Sequence, residues 1–271
     1  MFVKSFDGVQ LRYVVDTNPI AKATIVINHG FAEHLGRYEY VAEVLCKAGY
    51  TVYRYDTRGH GQTLNKLGHV TDYVMWIKDC ETMVELAKEQ HPDLPVFMLG
   101  HSMGGLITAM YGIAYPHVLQ GQVFSGPAVN TLPQANALNR TALKSLSKIK
   151  PDFMINNPVE DAICSDPQVV EDYKNDPLVL HKASVKFLEQ FLIKAPQYVQ
   201  SNVQAYDYPC LLLYGTKDTI VPPEVTRGFY EAIGSEDKTI IKYDDLYHEI
   251  LNEPMKDTIL KDIVEWLDAR A

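Results

Sequence analysis

The chain has 271 residues, 46% of them hydrophobic and 22% charged, with a formal net charge of −9. That balance supports a globular core and argues against a nucleic-acid or anionic-membrane binder, which needs a basic face. Cys46, Cys80, Cys164 and Cys210 show no CxxC or zinc-like spacing, so they read as small core residues in a reducing compartment.

Asp7-Gly8 between two alternating runs predicts a β-hairpin. No basic segment leads into an apolar one there, and no apolar run approaches the roughly 18 residues of a membrane helix. The expectation is a soluble, cytoplasmic protein without stable membrane insertion. "ATIVIN" (Ala23–Asn28) is β-branched and fits a strand buried on both faces, ending at His29-Gly30. "RYEYVAEVLCKAG" has helical spacing and a glycine stop at Gly49. Tyr50–Asp56 is a second such strand, running into the turn "DTRGHG". Tyr73–Gln90 predicts an amphipathic helix with Trp76, Cys80, Met83, Val84 and Ala87 on one stripe. Pro95–Gly100 is a strand, "GGLITAMYGIAYP" a helix, and Leu119–Val129 a strand. Strands at Pro209–Asp218 and Lys238–Asp245 and a helix near Pro254–Arg270 complete the pattern. Apolar strands alternating with helices imply an α/β fold with a mostly parallel central sheet and helices on both faces.

The segment 131–206 breaks this alternation. Helical patches "TALKSLSKI" and "ASVKFLEQFLIKAPQYV" flank the polar "NNPVEDAICSDPQVVEDYKNDPLV". It is too long for a plain loop and reads as a helical cap inserted after the strand near 119–129, over the carboxyl edge of the sheet. An independent second domain is the other reading, but the segment has no strand pattern of its own. Residues 1–130 and 207–271 then form the core domain.

Ser102 lies in "GHSMGG", directly behind a strand and ahead of a helix. A serine hydroxyl needs a base, an acid behind the base and oxyanion donors. The flanking glycines permit the tight strand-to-helix turn that exposes such a serine. An ordinary structural turn is the bland reading. The helix N-terminus favours an anion beside Ser102, which makes the Met103 N–H the natural first oxyanion donor. In this context the triad runs Ser…Asp/Glu…His. His117 sits in a turn and His181 in the insertion, whereas His248 follows a late strand. Asp218, in "GTKDTIVP" after the apolar "CLLLYG", is the best acid. Asp244 and Asp245 are weaker, because they share a loop with His248. The loop "NHGFAEH" should give the second donor, the Phe31 N–H. His29 and His34 on that loop make a weak metal case without a convergent Asp or Cys set; no metal or cofactor is expected. His101 reads as a packed neighbour pointing away from the nucleophile's face. The Arg58-Gly59-His60-Gly61 turn is loop architecture, not a phosphate loop.

Taken together, "NHGFAEHLGRY", "DTRGHGQT", "GHSMGG", "LLLYGTKDTIVP" and "YHEILNEP" resemble the monoacylglycerol lipase / lysophospholipase-like group of α/β-hydrolases, over essentially the whole chain. The resemblance implies an α/β-hydrolase fold, a cap at the insertion, a Ser102, Asp218, His248 triad, and Phe31 and Met103 at the oxyanion positions. Thr63 departs from the family's usual serine in DxRGHGxS, and the cap is where lipid preference transfers least.

The function this supports is a serine carboxylic-ester hydrolase acting through an acyl-enzyme on a small-molecule ester with an acyl or aryl group. Phe153, Met154, Ile155, Phe187, Phe191 and Leu192 are candidates to line an acyl channel, or simply to pack against the core. An aryl or short-chain esterase, an amidase or aminopeptidase using Glu33 for an amine, and a non-catalytic binding protein on the same fold are the alternatives. Chain length, alcohol and oligomeric state are not legible.

Overall fold

A computed structural model describes residues 1–132, 137–157 and 162–271. Parts of the predicted cap, 133–136 and 158–161, lie outside the described residues. The hairpin forms as β1 (Phe2–Lys4) and β2 (Gln10–Asp16), closed by a turn in which Gly8 takes φ +92°. Then come β3 (Ala23–Asn28), α1 (Glu39–Lys47), β4 (Tyr50–Tyr55), α2 (Val74–Gln90), β5 (Val96–His101), α3 (Met103–Ala114) and β6 (Gly121–Ser125). Between β6 and the next long strand stand α4 (Ala137–Ile149), β7 (Met154–Asn156), α5 (Pro167–Asn175), β8 (Lys182–Ser184), α6 (Val185–Glu189) and α7 (Ala195–Asn202). β9 (Cys210–Gly215), α8 (Pro223–Ala232), β10 (Lys238–Tyr243) and α9 (Lys256–Asp268) complete the chain.

The main sheet has the order β1-β2-β4-β3-β5-β6-β9-β10. The hairpin joins antiparallel, β2 against β4, and from β4 to β10 every pairing is parallel. Successive strand residues feed opposite cores, as the two-residue period of a strand requires. Val26, Met98, Phe124 and Leu212 face the core packed by α2 and α3, with Trp76, Met83 and Leu106. Ile25, Ile27, Phe97, Leu99, Leu211 and Leu213 face the other core, with Val41, Leu45, Ile263 and Trp266 of α1 and α9. Both faces being covered, β3, β4, β5, β6 and β9 are buried at every position, which is why these strands are mostly apolar and lack a polar alternation.

Three features escape the sequence reading. Helix α8 was not anticipated: Pro222 and Pro223 at its start and Gly228 within it mask a face carrying Val225 and Phe229. The polar stretch of the insertion contains α5, capped by the Asp166 side chain accepting from the Gln168 N–H. And the insertion does hold strands, β7 and β8, paired antiparallel.

The "DTRGHG" turn is a structural clamp. Arg58, buried, donates to Asp7 of the hairpin turn and to the fully buried Asp79 of α2, at 2.6–2.9 Å. Asp56 accepts the N–H groups of Leu35 and Gln62. The Thr63 hydroxyl donates to the Asp56 carbonyl at 2.6 Å and accepts from the Arg12 N–H, bonds that need only a hydroxyl. Replacing Arg58 with alanine strands the Asp79 carboxylate without its cation. The expected loss is about 3–5 kcal/mol, read as a fall in the denaturation midpoint; an unchanged midpoint would refute the clamp.

Candidate active site

Ser102 stands between β5 and α3 at φ +53°, ψ −116°, a backbone state that costs a non-glycine residue of order 1–3 kcal/mol. The surroundings hold it there. Its N–H donates to the Ser125 carbonyl at 2.9 Å, and its own carbonyl accepts from Leu106 and Ala128 at 3.0 Å. The flanking glycines are required by contact. A Cβ on Gly100 would lie 2.3 Å from Thr108 Oγ1, and one on Gly104 2.0 Å from the Asn28 carbonyl oxygen.

Asp218 and His248 come from separate loops, after β9 and β10. Asp218 Oδ1 accepts the N–H groups of Ile220 and Val221 at 2.9 Å, and Oδ2 meets His248 Nδ1 at 2.6 Å. With Nδ1–H donating to the carboxylate, Nε2 is left as the basic nitrogen. A Cβ on Gly126, at φ +49°, would sit 3.3 Å from both Asp218 Oδ2 and His248 Nδ1, so the pair packs against bare backbone. Asp244 and Asp245 are instead exposed and paired with Lys242 and Lys217. His117 is exposed beside Asp207, and His181 is exposed at the start of β8.

The Phe31 and Met103 amides lie where the sequence puts them, on the loop after β3 and at the first position of α3. Among the described residues neither N–H has a protein acceptor. The Phe31 peptide is fixed from behind. Thr57 N–H donates to His29 Nε2 at 2.9 Å, leaving Nδ1–H to hold the Gly30 carbonyl at 2.8 Å. In a trans peptide the N–H points opposite the carbonyl, so this contact aims the Phe31 N–H away from His29. His34 likewise has structural partners, Asp176 Oδ2 at 2.7 Å and the Gly36 N–H at 3.1 Å.

Ser102 and His248 line one shared cavity. Its apolar lining includes Phe31, Leu132, Leu188, Phe191, Leu192 and Ile220. Of the anticipated channel residues Phe191 and Leu192 line it. Phe153 and Met154 are exposed on β7 or just before it, Ile155 is not among the lining residues, and Phe187 is buried behind the wall. His101 also differs from expectation. Its Nδ1 faces Ser125 as a packed histidine should, but the ring lines the cavity and lies 4.7 Å from the His248 ring, centroid to centroid.

The sequence reading also missed a group of charges at the cavity. Arg37 Nε donates to Glu33 Oε1 at 2.9 Å, its Nη2 pairs with Glu249, and its guanidinium lies over the Tyr173 ring. Glu33 Oε2 accepts from the Gly30 N–H and the Tyr38 hydroxyl at 2.7 Å. Asn252 donates to Glu249. The motif HG-x-x-EH-x-x-RY is therefore wired to HE-x-x-NE through Arg37, and that shared spacing was the available signal. Burial would raise the Glu33 carboxyl, but Arg37, His101 and the Tyr38 bond hold it at about 2. Burial raises Glu249 despite Arg37.

The two neighbouring histidines are driven apart. Burial, reinforced by His248, pushes His101 down to about 4. Burial also opposes charge on His248, but the Asp218 carboxylate outweighs it and leaves His248 above its ordinary 6.5. Nitrogen-detected NMR titration should show His101 neutral throughout the range in which His248 gains its proton; the reverse order would contradict this electrostatic picture.

Comparison with known proteins agrees with this architecture. The family model described as serine aminopeptidase, S33 matches residues 19–255. The monoacylglycerol lipase of Mycolicibacterium smegmatis is 38% identical over 263 residues, covering 96% of this chain and 93% of that protein. The monoglyceride lipase of Homo sapiens is 30% identical over 253 residues, covering 92% and 83%. The crystal structure of Paleococcus ferrophilus monoacylglycerol lipase superposes with a TM-score of 0.88 at 31% identity, over 96% of this chain and 99% of that one. A soluble variant of the Saccharomyces cerevisiae monoglyceride lipase, in complex with a substrate analog, gives 0.90 at 26% identity, over 100% and 95%. The chain belongs to the monoacylglycerol lipase / lysophospholipase-like serine ester hydrolases of the α/β-hydrolase fold.

Proposed function

We propose that ester hydrolysis in this protein is carried out by Ser102, His248 and Asp218. The observation that carries the reading is the 2.6 Å Asp218–His248 contact converging with the strained Ser102 on one cavity. His248 Nε2 takes the Ser102 proton as Oγ attacks the ester carbonyl, and Asp218 holds the imidazole in the required tautomer. The Phe31 and Met103 amides receive the oxyanion. The alcohol leaves with the proton from His248, and water, activated the same way, releases the acid. The substrate is a small-molecule ester whose acyl or aryl group meets the apolar wall, with 131–206 serving as a cap over a core of 1–130 and 207–271. Ile163, Tyr173, Leu188, Phe191 and Leu192 of that segment line the cavity, which supports this division.

The amidase alternative wants a free carboxylate for an amine, and Glu33 is otherwise engaged: both oxygens accept bonds from Arg37, Gly30 and Tyr38. A non-catalytic binding role would leave no reason for the serine's backbone strain. No helix among the described residues is long and apolar enough to cross a membrane. The four thiols are free, which suits a reducing cytoplasm.

Ser102→Ala should abolish fluorophosphonate labelling and lower p-nitrophenyl ester turnover by about 10⁶-fold. Persistence of either signal would sink the assignment. Because His248 must be neutral to act as the base and Asp218 raises its pKa, kcat/KM in the wild type should rise with pH through a midpoint above 6.5. Asp218→Asn removes the raising charge while burial remains. The residual activity, about 10⁴-fold lower, should show its acid limb at lower pH; a limb that stays in place would exclude Asp218 as the partner.

A further inference from the structure

The wall of the cavity beside the oxyanion loop is aromatic. The Phe31 ring stacks on Phe191 at 5.5 Å with an interplanar angle of 27°, and Phe187 lies 5.6 Å from Phe31. Phe187 is in turn wedged against Trp76 at 5.2 Å and His60 at 5.4 Å. Phe187 and Trp76 are completely buried, whereas Phe191 and Phe31 line the cavity. Phe191 is thus the outer ring of a packed aromatic cluster.

Its backbone is unusual. From Val185 to Asn202 the chain is one continuous helical run, but residues Gln190–Lys194 form a turn of π-helix. The Ala195 N–H donates to the Gln190 carbonyl, five residues back. The cause is in the sequence: Pro196 has no N–H to return to Leu192, and its ring crowds that carbonyl. The widened turn is pinned at its start, where Gln190 Oε1 accepts the Tyr73 N–H at 3.2 Å. It brings the consecutive residues Phe191 and Leu192 to the same cavity. Such turns recur at functional sites.

We infer that Phe191, placed by this π turn and stacked on Phe31, sets the longest acyl chain the site accepts. The inference rests on the triad reading above. An ester carbonyl held by the Phe31 amide lies beside the Phe31 ring, so an acyl chain following the apolar wall from that point meets the Phe31–Phe191 stack. The Arg37-centred carboxylates offer the other part of the lining, which repels a hydrocarbon and suits hydroxyl groups. The chain length that fits is fixed by how far the Phe191 ring projects. Phe187 cannot yield in its place, being buried between Trp76 and His60. Phe191 is accordingly a specificity residue, with no part in the bond-making steps.

The test is the acyl-length profile on p-nitrophenyl esters from acetyl to palmitoyl for wild type, Phe191→Ala and Phe191→Trp. Thermal midpoints are recorded to confirm folding, and Ser102→Ala is run alongside. Phe191→Ala should raise the ratio of kcat/KM for decanoyl over butyryl ester by about tenfold or more, the effect of one or two methylenes in an apolar pocket. The gain should fall mainly in KM. Phe191→Trp should shift the ratio the opposite way. Unchanged ratios in both folded variants, with Ser102→Ala inactive, would overturn the role of Phe191 and leave the triad standing. Full turnover by Ser102→Ala would overturn both.

Discussion

The close approach of β5, α3 and the end of β3 is the constraint on which the site depends. Ser102 occupies a backbone state unfavourable to any residue with a side chain, and it stays there because three main-chain hydrogen bonds and two glycine contacts leave no alternative. The same packing that strains the serine sets the first turn of α3 against the loop carrying Phe31: the absent Cβ of Gly104 is what lets α3 lie against the Asn28 carbonyl. The candidate nucleophile and both candidate oxyanion amides are therefore placed by one packing event. Below it, Asn28 bridges Thr108 and Tyr55, so the contact is hydrogen-bonded as well as close.

A second layer of order comes from Arg37. A largely buried guanidinium between two buried carboxylates is tolerable only with each charge paired, and here each partner has a further task. Glu33 holds the Gly30 N–H, and Glu249 follows the candidate base His248 in the chain. The loop after β3 and the loop after β10 thus share one cation. Their relative position is settled by electrostatics in a dry environment, where an unpaired charge would be costly. Burial raises both carboxyls, but Arg37, His101 and the Tyr38 bond hold Glu33 strongly acidic, whereas at Glu249 burial and the nearby Glu33 charge outweigh Arg37.

Much of this was legible in advance because it is local. The β-branched run of Ala23–Asn28, the stripe of Trp76, Cys80, Met83 and Ala87, and the glycine after α1 each carry their own period or stop signal. Asp218 and His248 were legible as strand-end residues in the chain order the turn at Ser102 demands. Helix α8 was not, because its apolar face is short and broken by Pro222, Pro223 and Gly228. The β7–β8 pair was not, because three-residue strands have no measurable alternation. His101 was misjudged by the rule that neighbours point to opposite faces, which fails where the strand ends and Ser102 takes a positive φ.

The sequence by itself determined the class of fold, the order of the main-sheet strands and the helices between the first of them, and the identity of the serine, acid and base candidates, since these follow from periodicity, glycine placement and chain order. Only the tertiary structure decided which aspartate meets His248, which histidine of the pocket stays neutral, and how the cavity is walled. Those properties belong to pairs of residues far apart in the chain, such as Arg37 with Glu249 or Phe31 with Phe191. Burial and proximity between such pairs set the charges and the shape, and no stretch of sequence contains either.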